Sequence, residues 1–136
     1  MTPEQVTLVQ DSFAKVAPIS ETAARLFYGR LFEIAPDVRR MFPDDMTEQR
    51  KKLMGTLAVV VGSLHKLDAV LPAASSLAKK HVNYGVTAAQ YPVVGSALLW
   101  TLEQGLGDGW NADLAQAWTA AYGTLSGYMI SEAYGA

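Results

Sequence analysis

The sequence predicts an all-α fold, and three observations carry that prediction. Apolar residues recur at spacings of three and four in one segment after another, as a helix with one buried face requires. Proline, glycine and capping residues separate the segments, and no stretch of useful length alternates as a half-buried strand would. Even Val59-Val60-Val61 sits inside a helical pattern. Six main helices plus short turns are expected, in a single domain spanning residues 1–136, a length that suits one core.

Each element has its own signal. Thr2, Pro3 and Gln5 match a capped helix start, with the hydroxyl as cap and a glutamine three residues on. Val6, Val9, Phe13 and Val16 then form one face, which stops at Pro18. Ser20 is the expected cap of a second helix whose inward face carries Ala24, Phe27, Tyr28, Leu31 and Ile34 up to Pro36. Between Pro36 and Pro43 there is room only for a short helical turn, ending in Met41-Phe42.

Thr47 opens a third long segment with Gln49, Leu53, Leu57, Val60 and Leu64 on one side and a second stripe through Met54 and Val61. From about Asp68 a further helix carries Leu71, Ala74, Leu77, Ala78 and His81 on one face, with Asn83-Tyr84-Gly85 as its exit. Pro92 is the expected start of a helix lined by Val94, Leu98, Leu99, Leu102 and Leu106, loosened and ended by Gly105, Gly107 and Gly109. Asn111 caps the last helix, whose face is Leu114, Trp118, Ala121, Tyr122, Leu125 and Met129.

Composition narrows the function. Half of the residues are apolar, and 13 acids against 11 bases leave a formal net charge of −2. There is no block of like charge, so an electrostatic grip on nucleic acid or on an anionic membrane is not expected. The absence of cysteine removes disulfides, thiolate metal sites and a cysteine nucleophile. The start Met1-Thr2-Pro3-Glu4-Gln5 has neither a basic nor an apolar leader region, and no run approaches bilayer-spanning length. The expectation is a cytoplasmic protein, a monomer or weak homodimer, acting on a small or neutral partner.

His81 is one of two histidines and lies on an apolar stripe, where a neutral imidazole can offer a lone pair to a metal. Alone it reads more readily as a satisfied core residue. His65 beside Lys66 reads as solvated, and two histidines without a cluster of acids do not make a zinc site. The constellation says more. A large flat apolar cofactor needs an axial ligand on one side, apolar walls, and selected polar groups on the other. The segments Leu77-Ala78-His81 and Gln49-Leu53-Leu57 can supply these, with Phe42 at the edge.

These residues resemble bacterial haemoglobins and the globin part of flavohaemoglobins, from about residue 5 to 133. The match runs through Phe27-Tyr28, Leu31-Phe32, Pro36, Phe42, Lys80-His81, Gly85-Val86, Tyr91-Pro92-Val93-Val94-Gly95, Ala117-Trp118 and Ala121-Tyr122-Gly123. The resemblance implies a globin fold around one haem b (iron protoporphyrin IX), with His81 as the proximal iron ligand. The implied cofactor pocket comprises Phe42, Leu53, Leu57, Leu77, His81, Val86, Tyr91, Val94 and Leu98. Tyr28, Gln49 and Leu53 are implied on the distal, ligand-binding side.

The physical reading agrees, because a bound oxygen draws negative charge that hydrogen-bond donors in a dry pocket stabilise. Slow release and high affinity are expected, with an open or water-filled sixth site. On the proximal side the family has a tyrosine–glutamate network that enriches the imidazole in electrons. Tyr91 matches the tyrosine, and Glu132 is the nearest acid, displaced by one residue and hence about 100° around a helix. Lys52 or Lys80 is available for the propionates, while Arg50-Lys51-Lys52 reads as a solvated face.

Reversible capture or delivery of oxygen, or of another diatomic gas such as nitric oxide or carbon monoxide, is the first functional expectation. Nitric oxide dioxygenation or peroxide reduction is the alternative. It needs electrons, and because no Gly-rich dinucleotide fingerprint follows the helical region, a separate reductase is expected. Gas sensing and a haem-free helical interaction module carry less weight. The first would be expected to have an output domain. The second leaves Tyr28, Gln49 and His81 converging on an apolar cavity without a cause.

Overall fold

The computed structural model describes residues 2–69, 71–83 and 87–134, without the side chains of 67–69, 82–83 and 133–134. Among the described residues it is all-α, with helices α1 (Pro3–Val16), α2 (Ser20–Ile34), α3 (Thr47–Gly62), α4 (Leu71–Asn83), α5 (Gln90–Leu106) and α6 (Ala112–Tyr134). Short 3₁₀ turns cover Ala17–Ile19, Pro36–Met41, Leu64–Ala69 and Gly107–Gly109.

Local chemistry accounts for several boundaries. The capping box at α1 is complete: the Gln5 amide donates to Thr2 Oγ1 at 3.1 Å and the Thr2 amide to Gln5 Oε1 at 3.0 Å. Asn111 caps α6 by accepting from the Leu114 amide at 2.9 Å. Gly107, with φ 54°, ends α5 in a backbone region that a β-carbon would strain.

Other boundaries differ from expectation. Ser20 makes no capping bond, because the chain reaches α2 through the Ala17–Ile19 turn already coiled. Thr47 does open α3, but the start is held from outside: Asp45 Oδ1 accepts from the Thr47 amide (3.0 Å) and hydroxyl (2.7 Å). These bonds hold the Asp45 carboxyl below the usual aspartate range. The helix expected to run through Leu64 stops at Gly62, and Leu64 is buried instead from the following turn. The helix expected from about Asp68 begins at Leu71, and Pro92 falls inside the first turn of α5 rather than at its start. Ile34, expected inward, is 38% exposed at the end of α2. The exit residues Tyr84 and Gly85 lie outside the described residues.

The helices pack as α2 on α5 and α3, α1 on α6, and α4 on α6. Among the described residues, buried apolar side chains form two clusters. The larger joins α1, α2, α3, α5 and α6 around Val9, Phe13, Phe27, Tyr28, Leu31, Leu98 and Trp118, among others. Its polar members are satisfied: Trp118 Nε1 donates to Ser12 Oγ (2.9 Å), whose hydrogen turns to the Leu8 carbonyl (2.7 Å). The smaller cluster joins Ala74 and Ala78 of α4 to Tyr91 and Met129, with Leu77 packed against it.

Candidate functional site

The expected site residues fall on both clusters. Tyr28, Phe42, Leu53, Leu57, Val94 and Leu98 belong to the larger one or pack against it, while Leu77 and Tyr91 belong with the smaller. α5 bridges them, carrying Tyr91 toward one and Val94 and Leu98 toward the other. Val86 lies outside the described residues.

On the first side, Gln49 sits in the opening turn of α3 and donates through Nε2 to the Tyr28 hydroxyl at 3.2 Å, across 21 residues of sequence. The direction matters. Because the phenol oxygen accepts from Gln49, its own hydrogen is left to donate to a third group. Burial raises the Tyr28 pKa above the ordinary tyrosine value and outweighs the opposing effect of the Gln49 bond. The hydroxyl therefore keeps its proton at every ordinary pH.

Tyr28 is 6% exposed and enclosed by rings. Phe27 meets it edge-on at 5.0 Å between centroids, Phe42 edge-on at 5.5 Å, and Phe32 at 5.9 Å. Edge-to-face pairs of this kind hold orientation as well as area. Behind Leu53 and Leu57 lies a narrow cavity of about 10 Å³, walled also by Phe27, Leu98 and Trp118. Its one hydroxyl, that of Thr101, is committed to the Ala97 carbonyl at 2.8 Å. A water in that cavity would lack polar partners.

On the second side, His81 is half-buried on α4, and its Nδ1 lies 2.6 Å from the Leu77 carbonyl. A carbonyl can only accept, so Nδ1 carries the hydrogen. In the neutral tautomer that this bond favours, Nε2 carries the lone pair. The ring is 6.2 Å from that of Tyr91, between centroids. Tyr91 is itself 6% exposed and is held from behind: the Tyr122 hydroxyl donates to its carbonyl at 2.6 Å. The Tyr122 ring lies so close along α5 that a β-carbon at Gly95 would come within 2.7 Å of it. Burial, and secondarily the neighbouring Tyr91, push the Tyr122 pKa well up.

Glu132 is exposed and accepts from Ser75 of α4 at 2.9 Å and from Tyr128 at 3.3 Å. The structure thus places it as a tie between α4 and α6. The sequence reading missed the aromatic enclosure of Tyr28, visible only as scattered phenylalanines, and the hydrogen bonds from Arg39 to the Phe42 and Pro43 carbonyls, which leave no pattern.

A helical sandwich with a histidine on one helix and a tyrosine–glutamine pair on two others defines a class, and the comparisons agree with it. The globin family model matches residues 25–129, most of the chain, and the protein belongs to the globin family. Globins carry haem and bind diatomic gases.

Among its relatives, a flavohemoprotein of Rhodopirellula baltica is 30% identical over 133 residues, covering 96% of this chain and 33% of that protein. A flavohemoprotein of Bordetella parapertussis matches to the same extent. The chain therefore spans about one third of the length of these curated relatives. A bacterial globin from Campylobacter jejuni superposes with a TM-score of 0.83 at 26% identity, covering 98% of this chain and 96% of that one. A Rhodothermus marinus candidate nitric oxide dioxygenase, engineered as a carbene transferase, gives 0.89 at 25% identity, covering 98% and 94%.

Proposed function

We propose that this globin holds a b-type haem through His81 Nε2 and captures oxygen or another diatomic gas reversibly beside Tyr28 and Gln49. The donor set suits such a group: on α4 one imidazole whose Nδ1 is engaged by the Leu77 carbonyl, and on α3 and α5 the half-buried apolar side chains Leu53, Leu57 and Val94. Phe42 and Leu98 complete the wall from the larger cluster, and Leu77 and Tyr91 from the smaller. Haem supplies an iron centre to which a small gas can bind. The remaining work belongs to the chain.

The observation that carries the reading is the Gln49-to-Tyr28 hydrogen bond. It fixes the hydroxyl and aims its free hydrogen, while the Gln49 amide retains a second hydrogen. Two donors, one of them the hydroxyl of Tyr28, 6% exposed among aromatic rings, stabilise charge drawn onto a bound gas better than water-exposed donors would. A hydrogen bond to a charged acceptor contributes about 1.5–3 kcal/mol, so release should be about 10- to 100-fold slower than without it.

The test is the visible spectrum of the protein as isolated, after reduction, and after reduction under carbon monoxide, with His81→Ala and Tyr28→Phe alongside. A five-coordinate ferrous spectrum that shifts with carbon monoxide and is lost or weakened in His81→Ala is expected, as is faster oxygen release in Tyr28→Phe. No haem absorption after addition of hemin would refute the cofactor. An unchanged release rate in Tyr28→Phe would refute the donor role.

A second reading, oxidation of nitric oxide with bound oxygen, is favoured by the packing of Tyr91 beside His81, which suits an imidazole tuned for electron donation. Glu132 would join that tuning through α4 rather than by touching the ring. This activity needs a reductase as electron source, and is tested by nitric oxide consumption with and without one.

A further inference from the structure

Between the Pro36–Met41 turn and α3, residues 42–46 adopt no regular structure, yet two pocket residues depend on where they run. Phe42 begins the segment, and Gln49 stands in the helical turn that follows it. Arg39 organises it. Its Nη1 donates to the carbonyls of Phe42 (3.2 Å) and Pro43 (3.0 Å), and its Nη2 to that of Asp44 (3.4 Å). Three successive carbonyls turned toward one cation mean that the chain curls around the guanidinium. Such a fork suits this planar group with five N–H donors, and an ammonium cannot reproduce it.

The same guanidinium lies 5.2 Å from the centre of the Phe32 ring. Phe32 in turn packs on Tyr28 (5.9 Å) and Phe42 (5.6 Å). At the far end of the segment Met46 is buried, and Asp45 caps α3 just before Gln49. One side chain thus touches the loop on one side and the rings around Tyr28 on the other.

We infer that Arg39 is the positioning residue of the distal pocket, holding Phe42 against Tyr28 and setting the start of α3 so that Gln49 reaches the hydroxyl. The inference rests on the reading of Tyr28 and Gln49 as donors to the bound gas. Arg39 never meets the ligand; it acts through the loop.

The experiment compares haem-loaded wild type with Arg39→Leu, Arg39→Lys and, as a control, Arg40→Leu at the exposed neighbouring cation. Two quantities are read: amide hydrogen exchange over residues 42–49 and the oxygen release rate. Loss of the clamp should accelerate exchange there by about tenfold and oxygen release by about fivefold, matching the loss of ordinary hydrogen bonds. Arg39→Lys should fall between, and Arg40→Leu should match wild type. If Arg39→Leu does not fold, the same two readings on Arg39→Lys decide. Exchange equal to that of Arg40→Leu overturns the clamp. So does unaltered oxygen release in Arg39→Leu while Tyr28→Phe accelerates it, an outcome that spares the donor reading. Unaltered release in both variants overturns the donor reading and the inference together.

Discussion

The two sides of the candidate pocket are built differently. Tyr28 and Gln49 belong to the larger core, where four helices besides α2 contribute side chains and aromatic rings enclose the phenol. His81 sits on α4, which rests chiefly on α6 through alanines, Leu77 and Met129, with one exposed Ser75–Glu132 hydrogen bond added. Among the described residues, the Tyr28 side is enclosed by packing from several helices, while the His81 side rests chiefly on α6. Discrimination of a ligand by hydrogen-bond geometry demands positional accuracy, whereas a histidine can be drawn into place by the bond it forms.

That contrast can be broken in graded ways. The largest effect should come from Phe27→Ala, which opens a hole in the larger core. Denaturant unfolding should show a loss of about 3–5 kcal/mol. A loss below about 1 kcal/mol would mean that the ring cluster is not a structural centre. Gly95→Ala should cost less, about 1–3 kcal/mol, because the new methyl meets the Tyr122 ring and forces it off α5. Its signature is local: the Tyr122–Tyr91 hydrogen bond should be lost and the near-ultraviolet tyrosine signal altered, with the Tyr28–Gln49 side left intact. A change on both sides would show that the clusters are not independent.

The smallest effect is expected from Ser75→Ala. The bond it removes is exposed, and its loss should lower stability by no more than about 1 kcal/mol. If the asymmetry is real, hydrogen exchange at the α4 amides should nevertheless quicken measurably while that of α2 does not. Equal protection of α2 and α4 in the unsubstituted protein would remove the contrast altogether.

How far the molecule was legible in its sequence follows the same division. Signals confined to a few residues, such as the Thr2–Gln5 box and the Asn111 cap, appear where they were expected, because both partners lie within one turn. Helical periodicity gave the buried faces well, and failed at Ile34, where the end of α2 leaves no neighbour to cover it. Ser20 had the composition of a cap without the geometry, since a cap needs extended backbone before the helix and a 3₁₀ turn supplies none.

The pairing of Tyr28 with Gln49 was approached only by family resemblance, for nothing in the spacing of two residues on different helices reveals a hydrogen bond. Arg39 and Gly95 were harder still. One binds carbonyls, which every residue has. The other matters for a ring 27 positions away. Glu132 was considered for its charge near the proximal tyrosine, while its observed partner Ser75 lies 57 residues distant.

The His81–Leu77 hydrogen bond has a further consequence. Many proteins tune an imidazole with a carboxylate, whose influence fades as acid neutralises it. Here the partner is a peptide oxygen four residues earlier in the same helix, a group with no proton to gain in water at any physiological acidity. The electron-donating strength of the ring is thereby tied to the integrity of a helical turn. Acidification that would silence a carboxylate partner leaves this hydrogen bond in place, whereas distortion of α4 would loosen it.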